Sequence, residues 1–220
     1  MTKQVLHYHD VQLYESDVAL VTSPGQWLND NIINFYLQYL TQTRASSDVL
    51  LMDPAVVSCL LHQCEDEEEY VDLAKGFDLT TRRVCIIPVS DNDKLDGVSS
   101  HWSLLLYCDG SFRHLDSSAG HNKYAAQQVA NSFVLLLKAI GKHHGDGRVS
   151  EQVEEVVDTP QQQNGYDCGI YVLLLAEYFC TQDEETTTMT MDVYVTPERA
   201  TKLRLEMPRL IEKLKHMESI

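Results

Sequence analysis

Several segments of the chain carry apolar residues at the three- and four-residue spacing of an amphipathic helix. Asn29 or Asp30 could cap the first of them. Its apolar face is formed by Ile33, Tyr36, Leu37 and Leu40. A longer segment, 126–140, repeats the pattern and is stopped by Gly141. The segment 170–179 is apolar all round, which predicts a helix buried inside the protein.

Prolines mark the start of two further helices. Pro54 suits the first turn of a helix that runs through Leu61, and Pro197 opens a terminal helical pair that we expect to be interrupted near Pro208. Between these regions, residues 65–69 are all acidic, and we interpret them as a solvated edge, with a docking patch as the alternative.

Short apolar runs bounded by turn residues predict strands. The runs 83–90 and 102–107 are typical of buried central strands. Residues 111–116 continue as a strand after an Asp-Gly turn at 109–110, which predicts a hairpin. Residues 149–157 alternate loosely as an acidic strand. Because helices and strands interleave but the sheet contains a hairpin, the predicted class is α+β.

Composition narrows the possible functions. The 220 residues are 44% hydrophobic and 23% charged, which predicts one domain over residues 1–220. The formal charge of −16 repels nucleic acid and anionic lipid and favours a basic partner. The longest apolar run, 170–176, is too short to span a bilayer. The N-terminus lacks a signal-peptide pattern and the cysteines are sparse, so we expect a reducing compartment, the cytoplasm or nucleus.

Cys168 is the cysteine whose surroundings favour nucleophilic chemistry. A thiol becomes a nucleophile when its pKa falls, as happens at a helix N-terminus or beside an imidazolium. Cys168 follows the turn 163–167 and precedes the apolar helix, so we expect its sulfur at the positive end of the helix dipole. Gly169 is expected to leave room for a substrate backbone. The other cysteines are interpreted as packing thiols: Cys59, Cys64, Cys85, Cys108 and Cys180.

One cysteine spacing is similar to that of a metal site. It is Cys59-x-x-His62-x-Cys64, but a second Cys/His pair does not follow at a zinc-site interval. We therefore expect thiols on a helix face and no metal.

A thiolate needs a base, and the base needs an acceptor that orients it. His101 begins one predicted strand and Asp116 ends the next, so hairpin pairing would bring the two to one edge of the sheet. His114 is the rival base. It lies on the same strand as Asp116 without being opposed to it, and we interpret it as a core or cross-strand histidine.

Four blocks of sequence resemble, in order, the motifs of the Ulp and sentrin-specific cysteine proteases, which process ubiquitin-like modifiers. They are Trp27-Leu-Asn-Asp30, His101-Trp102-Ser, Asp116-Ser, and Gln-Gln-Gln-Asn-Gly-Tyr-Asp-Cys-Gly at 161–169. The short chain, without a long N-terminal extension, and the Asp-Asn-Asp at 91–93 resemble the deneddylase branch of that family.

The resemblance implies a papain-like fold of the Ulp type, a central mixed sheet flanked by helices, and a set of catalytic roles. Cys168 would be the nucleophile, His101 the general base and then acid, Asp116 its orienting carboxylate, and Gln162 the oxyanion donor. A neutral amide suits a developing oxyanion. Residues 161–163 are all glutamine, so the sequence alone leaves the donor ambiguous, and the spacing from the cysteine favours Gln162.

The resemblance also implies a substrate site. Trp27 and Trp102 would wall a narrow slot over a diglycine tail, since two flat rings leave space for backbone without Cβ atoms. Asp30 would contact the tail, and the acidic loop 91–96 would supply further carboxylates for a tail that brings an arginine.

The implied function is a deneddylase, a cysteine endopeptidase and isopeptidase that needs no cofactor. It would cleave after the Gly-Gly of a Nedd-type modifier, both in the precursor and on conjugates such as cullins, and act as a monomer. The alternatives are a SUMO protease of the same family and a catalytically silent module that binds ubiquitin-like proteins. The presence of Cys168, His101, Asp116 and Gln162 together argues against the silent module.

Overall fold

Strands and helices alternate along the protein in a computed structural model that describes residues 3–92, 99–142, 150–181 and 189–218. The strands are β1 (Gln4–Tyr8), β2 (Val11–Tyr14), β3 (Val49–Leu51), β4 (Val84–Ser90), β5 (Trp102–Cys108), β6 (Ser111–Leu115) and β7 (Val153–Glu155). The helices are α1 (Glu15–Thr22), α2 (Asp30–Thr43), α3 (Pro54–His62), α4 (Glu67–Ala74), α5 (Lys123–Ala139), α6 (Cys168–Cys180), α7 (Met191–Tyr194) and α8 (Pro197–Glu218).

A five-stranded mixed sheet forms the centre of the fold. Its order is β3-β4-β5-β6-β7; β4, β5 and β6 are antiparallel, whereas the outer strands β3 and β7 run parallel to their neighbours. The predicted hairpin is β5–β6. Its turn residues Asp109 and Gly110 both have positive φ, 47° and 88°, as a tight two-residue hairpin turn requires. The predicted α+β class is confirmed.

The two faces of the sheet carry two separate cores. Successive residues of a strand point to opposite faces, so Ile86 packs with α2, α6 and α8, whereas Cys85 and Ile87 pack with α3, α4 and α5. Helix α6 is buried on all sides because it contacts β5, α2 and α8 together. Of the helices in the described ranges, none is long and apolar enough to cross a membrane.

The acidic run at 65–69 is exposed, as predicted for a solvated edge, and most of it also forms the start of α4. The Asp66 carboxylate accepts the N–H of Glu69 at 3.0 Å, and the Glu69 carboxylate accepts the N–H of Asp66 at 3.3 Å. This reciprocal pair is a capping box. Negative charges also stabilise a helix N-terminus, so the acidic residues favour the helix that the prediction omitted.

The predicted break at Pro208 is wrong, because α8 continues through it as one helix. Proline in a helix interior costs about 3 kcal/mol relative to alanine. Leu203, Met207 and Ile211 are buried on the side of α8 that joins the core around α6. Burial of each such side chain stabilises by about 1.5–3 kcal/mol, so packing outweighs the proline.

One outer strand of the sheet is shorter than predicted, and the other was not predicted. Strand β7 covers only three residues, which pair parallel to β6; part of the predicted strand, residue 149, lies outside the described residues. Strand β3 was not predicted, since three residues are too few to show an alternating pattern.

The aromatic core under α5 can be tested through Phe133. Its ring is fully buried, with its centroid 5.3 Å from that of Tyr107 and 6.0 Å from that of Phe112. Phe133→Ala is expected to lower the free energy of unfolding by about 3–5 kcal/mol, measured by urea denaturation. Leu135→Ala, which removes a half-exposed side chain from the same helix, is the control and should change it by less than about 1 kcal/mol. Equal losses in both variants would contradict this description of the core.

Candidate active site

Cys168 is the first residue of α6, as the sequence predicted. Its side chain is buried, with only 1% of the residue exposed. The N–H groups at the start of a helix favour negative charge nearby, so the position suits a thiolate.

His101 and Asp116 lie at neighbouring strand ends and contact each other. The register of β5 and β6 pairs Leu104 with Leu115, which brings the residue before β5 close to the residue after β6. His101 Nε2 donates to Asp116 Oδ1 over 2.7 Å, and both side chains are buried.

The carboxylate of Asp116 is held by backbone donors as well as by the imidazole. Its Oδ1 also accepts the N–H of Ser118 at 2.9 Å, and its Oδ2 accepts the N–H of Asn122 at 3.0 Å. Burial raises the pKa of Asp116, but the hydrogen bonds from His101 and from the two backbone N–H groups outweigh it and lower that pKa below its usual value. Asp116 is therefore a fixed, ionised acceptor.

His101 also hydrogen-bonds the side chain of Cys168. Burial would lower the pKa of His101, but the hydrogen bonds to Asp116 and to Cys168 and the charges of these two groups raise it to about 9. At neutral pH the imidazole is accordingly protonated. The structure thus joins Cys168, His101 and Asp116, in that order, as a thiol, an imidazole and a carboxylate.

The glutamines that the sequence left ambiguous differ in how their amide hydrogens are used. Both side-chain N–H bonds of Gln161 are taken, by the carbonyls of Asp116 at 2.9 Å and Thr159 at 2.8 Å. Gln162 donates one to the Asn164 carbonyl at 2.6 Å. An amide nitrogen carries two hydrogens, so, among the described residues, the second N–H of Gln162 is not donated to a protein acceptor.

The two tryptophans stand in different environments. Trp102 is buried, and its Nε1 donates to the Leu28 carbonyl at 2.9 Å. Trp27 is 46% exposed, and its Nε1 donates to the Gly165 carbonyl at 2.7 Å, in the turn before the cysteine. Trp27 is thereby tied to the turn that precedes Cys168.

Asp30 and Trp102 line one narrow cleft together with residues of α3 and β4. Asn29, not Asp30, caps α2, because its side chain accepts the N–H of Ile32 at 3.1 Å. The carboxylate of Asp30 is therefore not used as the helix cap.

Gly169 does not leave room for a substrate backbone, and that expectation is wrong. A Cβ atom there would lie 3.1 Å from Leu28 Cβ and 3.2 Å from Ile33 Cδ1. The missing side chain instead allows α6 to approach the residues around the start of α2.

The acidic loop is described only at its edges, since residues 93–98 lie outside the described residues. Asp91 Oδ1 accepts the N–H groups of Ser100 at 2.8 Å and His101 at 3.0 Å. Its carboxylate therefore anchors the end of the loop at His101.

His114 is a cross-strand residue, as we interpreted it. Its Nδ1 lies 3.0 Å from the carboxylate of Glu155 on β7, and its Nε2 lies 2.9 Å from Ser103 Oγ on β5. Both ring nitrogens are thus engaged within the sheet.

Two residues near the base were missed by the sequence analysis. The ring of His121 lies with its centroid 4.4 Å from that of His101. Asn122 is buried, and besides its bond to Asp116 its side chain donates to the Val89 carbonyl at 3.2 Å. Asn122 directly precedes α5, and the sequence carried no signal that its backbone N–H reaches the carboxylate of Asp116.

Within the described ranges, His, Cys, Asp and Glu side chains do not gather in a group of three or more suited to a metal ion. The nearest sequence candidate, Cys59-x-x-His62-x-Cys64, has two of its members on α3, and both of its cysteines are free thiols.

Known proteins are similar to this chain in sequence. The chain is 33% identical over 222 residues to NEDD8-specific protease 1 of Arabidopsis thaliana, which covers 96% of this chain and 93% of that protein. It is 33% identical over 221 residues to sentrin-specific protease 8 of Homo sapiens, covering 97% and 99%.

A solved structure has the same fold at low sequence identity. The C-terminal Ulp1 protease domain in complex with Smt3, the yeast ortholog of SUMO, aligns with a TM-score of 0.71 and 18% identity, covering 97% of this chain and 89% of that one. Residues 26–214 match the Ulp1 protease family, C-terminal catalytic domain, and the chain therefore belongs to the Ulp1 protease family.

Proposed function

We propose that this chain is a deneddylase, a cysteine protease that cleaves after the terminal Gly-Gly of a Nedd-type modifier. It matures the modifier precursor and releases the modifier from lysine conjugates. The proposed substrate rests on the match, over nearly the full length of both chains, to a protease named as NEDD8-specific. Relatives named ubiquitin-like-specific proteases match less well, for example 27% identity over 71% of this chain.

In the proposed reaction Cys168 and His101 work as an ion pair. The thiolate of Cys168 attacks the carbonyl carbon of the last glycine, and His101 gives its proton to the departing lysine amine or peptide nitrogen. Water then attacks the thioester and gives its proton to His101, and the C–S bond breaks to release Cys168 as the thiolate, which restores the ion pair. Asp116 keeps the imidazole oriented and stabilises its charge.

Gln162 is proposed as the donor to the oxyanion that forms when the thiolate attacks. The remaining N–H of its amide supports this assignment, and so does its fixed orientation, since its Oε1 accepts the hydroxyl of Ser117 at 2.8 Å. Gln161 is proposed to be structural because both of its N–H bonds are in use.

Selection of the tail is proposed to depend on shape and on charge. The slot between Trp27 and Trp102 admits a diglycine because the two glycines have no Cβ atoms. Asp30 lies on the cleft beside Trp102 and attracts the arginine that precedes Gly-Gly in Nedd-type tails. SUMO tails carry threonine there. Ubiquitin has a further arginine where the Nedd-type tail has alanine, and that arginine must be rejected by its size or by the cost of its desolvation.

The physiological partners follow from this substrate. We propose that the chain acts as one protease domain and as a monomer, in the cytoplasm or nucleus, on Nedd-type conjugates such as cullins. A SUMO protease is the second candidate, favoured by the shared fold with the Ulp1 domain bound to Smt3.

The substrate is tested on one panel of Nedd-type, ubiquitin and SUMO proteins that carry the same C-terminal reporter. The Nedd-type substrate should have the highest kcat/KM, and raised salt should shrink its lead over SUMO by screening the charges. Cys168→Ala is the control that shows the cleavage comes from this site, and it should still bind the modifier. SUMO cleaved best would refute the substrate but leave the catalytic residues unaffected.

The role of Asp116 predicts a change in rate and in pH dependence. Asp116→Asn should lower kcat by about 10²- to 10⁴-fold with little change in thermal stability. The amide removes the charge that raises the pKa of His101. Because the active ion pair needs a protonated imidazole, the loss of activity at high pH should begin at a lower pH than in the wild type.

Glu155→Gln is the matched control, since it makes the same change beside His114 instead of His101. Its kcat and pH profile should stay close to those of the wild type. An Asp116→Asn enzyme with wild-type kcat and an unmoved pH profile would exclude the assigned role.

The oxyanion donor is tested by three parallel variants. Gln162→Ala should lower kcat by about 10²- to 10³-fold, as loss of an oxyanion donor does elsewhere. Gln163→Ala should have little effect because Gln163 is exposed. Gln161→Ala removes a bond to the backbone of Asp116 and should fall between them. If either neighbour loses more activity than Gln162, the donor has been assigned to the wrong residue.

A further inference from the structure

The terminal helix α8 places a buried guanidinium beside the turn that precedes the nucleophile. The side chain of Arg204 is only 11% exposed. Its Nε donates to Asp167 Oδ1 at 2.8 Å, its Nη1 to the Leu20 carbonyl at 3.0 Å and its Nη2 to the Tyr166 carbonyl at 3.2 Å. One side chain thus joins α8 and the end of α1 to the residues directly before Cys168.

Asp167 links Arg204 by hydrogen bonds to the rest of the turn before Cys168. Its second oxygen, Oδ2, accepts the side-chain N–H of Asn164 at 2.7 Å. Asn164 in turn accepts the N–H groups of Tyr166 at 3.0 Å and Asp167 at 2.9 Å, and its carbonyl accepts the side chain of Gln162 at 2.6 Å. A continuous set of hydrogen bonds therefore runs from Arg204 to both the nucleophile's helix and the oxyanion donor.

The chemistry of the Arg204–Asp167 ion pair favours a role in fixing the positions of nearby groups over a role in stabilising the fold. Asp167 is 8% exposed at its side chain, and the cost of burying two charges offsets most of the attraction between them. A guanidinium differs from an ammonium in that it directs several donors at fixed angles. The three acceptors of Arg204 lie on α1 and on the turn before Cys168, and donors at fixed angles can reach all three.

We infer that Arg204 is a positioning residue, which aligns Cys168 and Gln162 through Asp167 and Asn164. The inference rests on the proposed reaction, in which these two groups act on the same carbonyl. A displacement of about 1 Å in a catalytic group can cost about 100-fold in rate.

The test is Arg204→Lys, which keeps the charge and removes the fork. The kcat for a modifier with a C-terminal reporter should fall by about 10- to 100-fold, while KM should stay within about threefold, since the tail site is built by other residues. Asp167→Asn should show the same split. The double variant should lose no more than the worse single one, because both act through one contact.

Controls separate this inference from simple unfolding and from an error in the substrate. Arg209→Lys changes an exposed arginine on the same helix and should leave kcat unchanged. Thermal melting reports the folded fraction, and if Arg204→Lys does not fold at the assay temperature, Asp167→Asn alone carries the test. The rate at which iodoacetamide alkylates Cys168 needs no modifier, and it should fall in Arg204→Lys even if the proposed substrate is wrong.

The inference would be overturned by a wild-type kcat in the folded variant, by a loss equal to the unfolded fraction, or by single effects that simply add. An alkylation rate equal to that of the wild type would overturn it as well. If instead the wild type cleaves none of the three modifiers but alkylation slows in Arg204→Lys, the substrate proposal fails and the positioning role stands.

Discussion

The burial of α6 on every side is the constraint on which the active site depends. A helix that is apolar all round has no solvated face, so the sheet, α2 and α8 all pack against it and fix its axis. Cys168 begins that helix, and its sulfur is held at the end where backbone N–H groups favour negative charge. Gly169 completes the arrangement, since a Cβ atom there would lie 3.1–3.2 Å from Leu28 and Ile33, tighter than most side-chain contacts.

The base and its carboxylate come from the other rigid element, the β5–β6 hairpin. Strand pairing brings the residues flanking the hairpin together, and backbone N–H groups then fix Asp116 independently of His101. The hydrogen bond between the two side chains therefore forms between groups that are already in place. Preorganisation of this kind spares the enzyme the cost of arranging charges during the reaction.

Charge acts on two scales in this protein. The net charge of −16 is spread over the surface and bears on which partners approach. At the site, by contrast, a protonated imidazole lies between a carboxylate and a thiol, and the pKa of about 9 at His101 reflects these immediate contacts. Long-range charge and local chemistry are therefore set by different residues, and one can change without the other.

Much of the site could be predicted from sequence because its main parts lie at the ends of regular elements. Apolar periodicity predicted α2, α5 and α6, the turn residues predicted the β5–β6 hairpin, and these elements indicated that Cys168, His101 and Asp116 stand at their ends. Local patterns gave a wrong prediction at Pro208, where packing along α8 outweighs the proline. They were also wrong at Gly169, whose neighbours are Ile33 of α2 and Leu28, two residues before that helix.

Only the tertiary structure decided which protein acceptors take the side-chain N–H bonds of Gln161 and Gln162. It alone also showed that Arg204, thirty-six positions after Cys168, reaches the turn before it. Hydrogen-bond partners distant in the chain leave no periodic trace, since neither residue type nor spacing encodes which side chain will meet which carbonyl. The sequence by itself determined the elements and the chemistry at their ends, and packing of the whole chain decided how that chemistry is held.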